Sequence, residues 1–247
     1  MRLSFVPLAV ALLPLAAIHL CYLLAAHLGH VPWCLPYVDS CTSISATGRE
    51  SPESLVFRAA IMPSAALMLV YWVLVHEWFK TLGDRMVVVR RTMLGLGLVA
   101  GLGMIAYTAV LGEVGEGYRL QRRIGVTLSS FTVLAQLLMT IQVEAVARVR
   151  PSLILLRTSR ALLAVSAATI LVALASLLSW AFFEQHDRVE DALAWWVMLL
   201  VLLHPLVVFF AWKESGFQAR FTVPGARGSR TSSEKPGARR LTESPRR

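Results

Sequence analysis

Three side chains able to do chemistry stand deep inside long apolar stretches of this 247-residue chain: His19, Gln136 and His204. Burying such groups in hydrocarbon is costly unless they are paired, so each is a candidate site residue. Turned toward one another by three helices, they could line the pocket of a small transporter or of an intramembrane lipid hydrolase. The plainer chemistry, and the one favoured here, is interhelical hydrogen bonding, worth about 0.6–2 kcal/mol per contact. A metal hydrolase needs about three ligands and an open position for water. His76 also lies within an apolar run, but near the inner end of that run, and the His76-Glu77 pair lacks the second histidine of an H-E-x-x-H site. No metal and no other cofactor is expected, and the balance favours a protein without catalysis. His76, Glu77, Gln142 and Glu144 sit near the inner ends of their runs, with Lys80 and Arg148 close by, and read as i,i+4 surface pairs rather than a proton path.

A second group of polar residues is concentrated between the first two apolar runs. Residues 30–57 are rich in hydroxyls and hold Asp39, Thr47, Glu50 and Glu53, with Arg58 just beyond. Thr47-Gly48 is turn chemistry, where glycine can take a positive φ. Ser51-Pro52-Glu53 reads as a helix N-cap, a proline at the first helical position and an acid in the first turn. The same loop holds Cys34 and Cys41, close enough for a disulfide if it faces an oxidising compartment. Two cysteines at that spacing, with His27 and His30 nearby but no paired histidines, make a poor zinc site.

Six apolar runs, at about 3–28, 56–79, 93–112, 124–147, 161–183 and 192–212, must position these groups. Each approaches or exceeds the ~20 residues that cross a hydrocarbon core about 30 Å thick, and only helices satisfy their own backbone there. The fold class is therefore all-α: a polytopic membrane domain of six transmembrane helices over residues 1–212. Six spans, their loops and a tail leave no room for a separate soluble catalytic domain. The first run is too long for a signal h-region and reads as an uncleaved span.

With the amino terminus in the cytoplasm, the inner segments carry 18 of the 24 basic residues and 6 of the 15 acidic ones. The positive-inside rule thus places both termini in the cytoplasm. The net charge of +9 is then a membrane-surface signal suited to anionic cytoplasmic lipids, with no nucleic-acid partner implied. Residues 213–247, rich in Arg, Ser, Gly and Pro, are expected to be a basic, disordered tail. The chain has no asparagine and uses arginine in place of lysine almost throughout, which fits a GC-rich coding sequence. In a bacterium this would be an inner-membrane protein; elsewhere, one of endomembranes or the plasma membrane. Within the third run, Gly97 and Gly101 form a small-x-x-x-small face that admits a close helix, in the same chain or in a homo-oligomer. Trp78, Trp180, Trp195 and Trp212, near run ends, suit interfacial belts.

The stretch SISATGRESPESLVFRAAIMPSA, residues 43–65, resembles the first loop and second helix of the Frag/DRAM/Sfk family, through Ile44-Ser45-Ala46-Thr47-Gly48, Pro52-Glu53 and Phe57. GLGLVAGLG at 95–103 and YRLQRRIGVTLSSFTVLAQLL at 118–138 are similar to its third and fourth helices. That family includes DRAM autophagy modulators, Golgi factors of GPI-anchor lipid remodelling and the CWH-type amino-terminal domain. The resemblance implies six spans, a role in lipid organisation and no shared catalytic machinery. It directs attention to Thr47, Gly48, Glu53, Phe57 and Arg58 as lipid or ligand contacts, beside His19, Gln136 and His204. The expected function is a non-enzymatic, lipid-interacting or membrane-organising protein, whose partners are membrane lipids or another membrane protein.

Overall fold

The computed structural model describes residues 3–182 and 187–218. Its helices are α1 (Phe5–His27), α2 (Pro36–Asp39), α3 (Glu53–Thr81), α4 (Val87–Ala109), α5 (Glu116–Ser129), α6 (Phe131–Val149), α7 (Leu153–Phe182) and α8 (Asp187–Ser215). By length and apolar content six spans can cross a membrane, with α5 and α6 together forming the fourth. Most helices outrun their hydropathic stretches. The fourth span, for example, begins at Glu116 and α7 at Leu153. Charged and hydroxyl residues at those ends lower hydropathy without breaking a helix, because the headgroup zone solvates them while the backbone bonds continue.

Each span packs on its neighbours in sequence, and α8 returns to α1, so the six close into a ring. The half of the interior nearer the start of α1 is filled by Tyr71, Trp72, Trp78, Phe79, Met93, Met139, Leu162 and Trp212. The opposite half is filled by Cys21, Tyr22, Phe57, Ile61, Leu111 and Trp195. Trp78, Trp195 and Trp212 are therefore core side chains rather than an interfacial belt: all three are buried, with Trp78 and Trp212 in edge contact. Indoles this large are what fill the wide axis of a six-helix ring. The side chain of Trp180 lies outside the described residues, as do residues 219–247 of the basic tail. Leucines such as Leu20, Leu23, Leu171 and Leu177 are exposed on the bundle, as lipid-facing positions must be.

The glycine face of α4 is taken up inside the chain. A Cβ at Gly97 would sit 2.3 Å from the Trp72 indole, and one at Gly101 would sit 2.4 Å from Leu69, so α3 closes on α4 along this face. The same surface is not free to pair with a second copy.

Candidate functional site

The polar residues between α1 and α3 fold into a cap over one end of the ring, the end that the arginine count predicts to be the outer one. Gly29, at φ +76°, ends α1 in the left-handed conformation that glycine adopts without cost. Cys34 and Cys41 are joined in a disulfide that brackets α2. Within the bracket, the Leu35 N–H donates to Asp39 Oδ2 at 2.7 Å. Two helices hold this piece. On α1, the Tyr22 hydroxyl donates to the Cys34 carbonyl at 2.6 Å and accepts from the Cys34 N–H at 2.9 Å. On α8, the Trp195 indole N–H donates to the Thr42 carbonyl at 2.9 Å, and that of Trp196 to the Tyr37 carbonyl at 3.0 Å.

His19 belongs to this cap. Its Nδ1–H donates to the Leu15 carbonyl at 2.7 Å, which leaves Nε2 to accept from the Tyr37 hydroxyl at 2.9 Å. Burial pushes the Tyr37 hydroxyl above its ordinary pKa, so it stays a donor at neutral pH. His19 also packs edge-on against Trp195. It is thus separate from Gln136 and His204, and the three do not assemble into one pocket.

Gln136 and His204 share a different contact. The Gln136 amide donates to the Val201 carbonyl at 2.9 Å. That carbonyl is the one four residues before Pro205, whose ring nitrogen has no hydrogen to give it. Beside it, the Thr140 hydroxyl donates to the Gln136 carbonyl at 2.9 Å and stands 3.3 Å from His204 Nε2 and 2.9 Å from Ser166. His204 is 1% exposed, and its Nδ1 has no partner among the described residues. This is interhelical bonding that repairs a proline break.

The family-like motif lies at the root of the cap. Thr47 is buried, its hydroxyl donating to the Ile44 carbonyl at 2.8 Å. Gly48 sits in a 3₁₀ turn, Ala46–Gly48, outside the positive-φ region. Glycine is required there for space: a Cβ would lie 2.6 Å from the Phe57 ring. Pro52 immediately precedes the first helical residue, and no side chain caps α3. Glu53, expected to favour the helix end, instead turns to the loop. Its Oε1 accepts from His30 Nδ1 at 2.7 Å, while Oε2 is buried without a partner among the described residues. The Cys21 thiol donates to the Glu53 carbonyl at 3.6 Å. One turn further, Arg58 ties the cap to the α4–α5 connection, donating from Nε to the Leu111 carbonyl at 3.0 Å and from Nη2 to Glu113 Oε1 at 2.9 Å. Gly112, at φ +91°, lets this connection pass under the loop, where a Cβ would meet the Arg49 carbonyl at 2.7 Å. Arg122 closes the same connection on Glu113's carbonyl at 2.7 Å.

Thr47, Gly48, Glu53 and Phe57 are thus packed residues that build the cap. Its open surface is formed by others: Trp33, Leu35 and Val38 are 65%, 67% and 73% exposed. Sequence reasoning passed over these three. Their signal was faint, being isolated apolar residues within a loop otherwise notable for its hydroxyls.

At the other end of the ring, the expected surface pairs are present: Lys80 with Glu77 at 2.6 Å and Arg148 with Glu144 at 2.9 Å. Gln142 is not among them. It is buried and donates to Asp84 Oδ2 at 3.2 Å, joining the Arg90–Asp84 ion pair of 2.8 Å.

A ring of six helices long and apolar enough to span a membrane, closed at one end by a disulfide-bracketed loop and rooted on a Thr-Gly and Pro-Glu motif, defines a class of polytopic membrane protein. The chain belongs to the family described as Frag1/DRAM/Sfk1/Cwh43P N-terminal domain, whose model matches residues 2–212. No curated protein and no solved structure matches it.

Proposed function

We propose that this protein organises lipid without catalysis, and that its outer cap is the part that meets the bilayer surface. The observation that carries this reading is the exposure of Trp33, Leu35 and Val38 on a loop held in place by a disulfide, by the Tyr22 bonds and by two α8 indoles. An apolar edge with a tryptophan, at the end of two spans, matches the chemistry of the interfacial zone. Fixing it beforehand lowers the ordering cost of each contact. Thr47, Gly48, Glu53, Phe57 and Arg58 serve this surface from below by setting where it sits. Membership of a family of membrane proteins supports the same reading.

The test is mass spectrometry of lipids co-purifying with the full chain in mild detergent. A Trp33→Ser/Leu35→Ser/Val38→Ser variant is expected to keep its yield and melting temperature and to lose bound lipid. Unchanged lipid content in a well-folded variant would overturn the proposal.

A further inference from the structure

The turn between α3 and α4 carries a second site, at the face that the arginine count assigns to the cytoplasm. Asp84 organises it. Its Oδ1 accepts the Met86 N–H at 3.0 Å, and its Oδ2 accepts Arg90 Nη1 at 2.8 Å and the Gln142 amide at 3.2 Å. The one carboxylate of the turn is therefore fully used and neutralised by Arg90. Asp84, paired in this way, also lines a cavity of about 210 Å³, together with Gly83, Arg85, Met86, Val149 and Arg150 among others.

Two arginines at this cavity have no acidic partner among the described residues. Arg150 reaches across from the end of α6 and donates to the Leu82 carbonyl at 3.1 Å. That uses one of its five N–H donors. Its path needs a glycine beneath it: Gly83 has φ +68°, and a Cβ there would lie 2.5 Å from Arg150 Nη1. Arg85 is exposed, and its guanidinium makes no hydrogen bond or ion pair with the described residues. The N-terminus of the 23-residue helix α4 begins at Val87, next to the same turn, and adds the positive end of its dipole. Around this basic cavity the surface turns apolar, with Val88 77% and Val149 75% exposed. A phosphate oxyanion suits the two guanidinium groups, which can each hold it through paired N–H donors. Apolar side chains at the rim, on helices that enter the bilayer, suit an acyl chain beside that phosphate.

We infer that this cavity binds the phosphate of an anionic phospholipid of the cytoplasmic leaflet, with Arg85 and Arg150 as its ligands. The site is distinct from the outer cap and lies in the opposite leaflet. Its failure would leave the cap reading standing, since the two are tested with different variants.

The probe is dioleoyl phosphatidic acid, titrated against dioleoyl phosphatidylcholine onto the full chain in mild detergent, with occupancy read by native mass spectrometry. Arg85→Ala removes no hydrogen bond or ion pair among the described residues, so the fold is expected to be retained, and it is expected to weaken phosphatidic acid binding about fivefold. Arg85→Ala/Arg150→Ala is expected to weaken it about thirtyfold. A matched control, Arg157→Ala/Arg160→Ala, removes two exposed charges from the same face outside the cavity and is expected to change binding less than about twofold. Equal loss in the control, equal retention of phosphatidylcholine, or no loss in Arg85→Ala would overturn the site. Displacement of the lipid by equimolar inorganic phosphate would retain the oxyanion chemistry and overturn a lipid as its source.

Discussion

Glu53 shows how a residue's place on a helix can be legible while its side-chain partner is not. Its position after proline suggested a favourable acid at a helix start, yet its carboxylate is buried against His30 from the far end of the loop. Local sequence could not reveal that, because the partner is 23 residues away. Removing one partner of a buried hydrogen-bonded carboxyl leaves it unsatisfied, at a cost of about 1–3 kcal/mol. His30 is partly exposed, so the lower end of that range applies to His30→Ala. The expected result is a clear drop in melting temperature, largely restored by adding Glu53→Leu; no recovery in the double variant would show that the pair is not what holds the loop. Gln136 makes a complementary case. Pro205 was legible, and so was an intramembrane glutamine, but only the packing of α6 against α8 joins them. Gln136→Leu should cost about 1–2 kcal/mol by leaving the Val201 carbonyl bare. In a Pro205→Ala background, where α8 can bond that carbonyl itself, the loss should shrink to about 0.5 kcal/mol or less. Equal losses in both backgrounds, measured by thermal unfolding in detergent, would contradict the repair.

At the scale of elements, the spans were plain from hydropathy because each run exceeds what any soluble helix requires. Their ends were less plain, since a helix continues into the headgroup zone where hydropathy no longer follows it. The glycine face of the third run illustrates a limit of a different kind. Spacing alone says that something approaches closely, and both a second copy and a neighbouring helix satisfy it. The packing of Trp72 over Gly97 assigns it to α3. Gly97→Ala should therefore destabilise the fold by about 1–3 kcal/mol through overpacking. Its oligomeric state, measured by light scattering, should equal that of the wild type. A change of oligomeric state at unchanged melting temperature would return the face to an intermolecular role.

For the whole molecule, hydropathy set the number of spans, and the ring closes as short loops between successive helices require. The cap was the part least readable in advance. Its turn and cysteines were visible, but which residues point inward and which outward depends on contacts with α1 and α8. The result is an asymmetric molecule: a rigid apolar edge on one face and a basic, cavity-bearing face on the other. The two proposals assign both surfaces to lipid, by different chemistry.

The placement of Trp33 tests this account most directly. In vesicles, tryptophan emission of the wild type minus that of Trp33→Phe isolates one indole among the chain's seven. The account predicts that this component is quenched by lipids brominated near the headgroup and little affected by aqueous acrylamide. Quenching by acrylamide alone would place the cap's apolar edge in water and contradict its role at the bilayer surface.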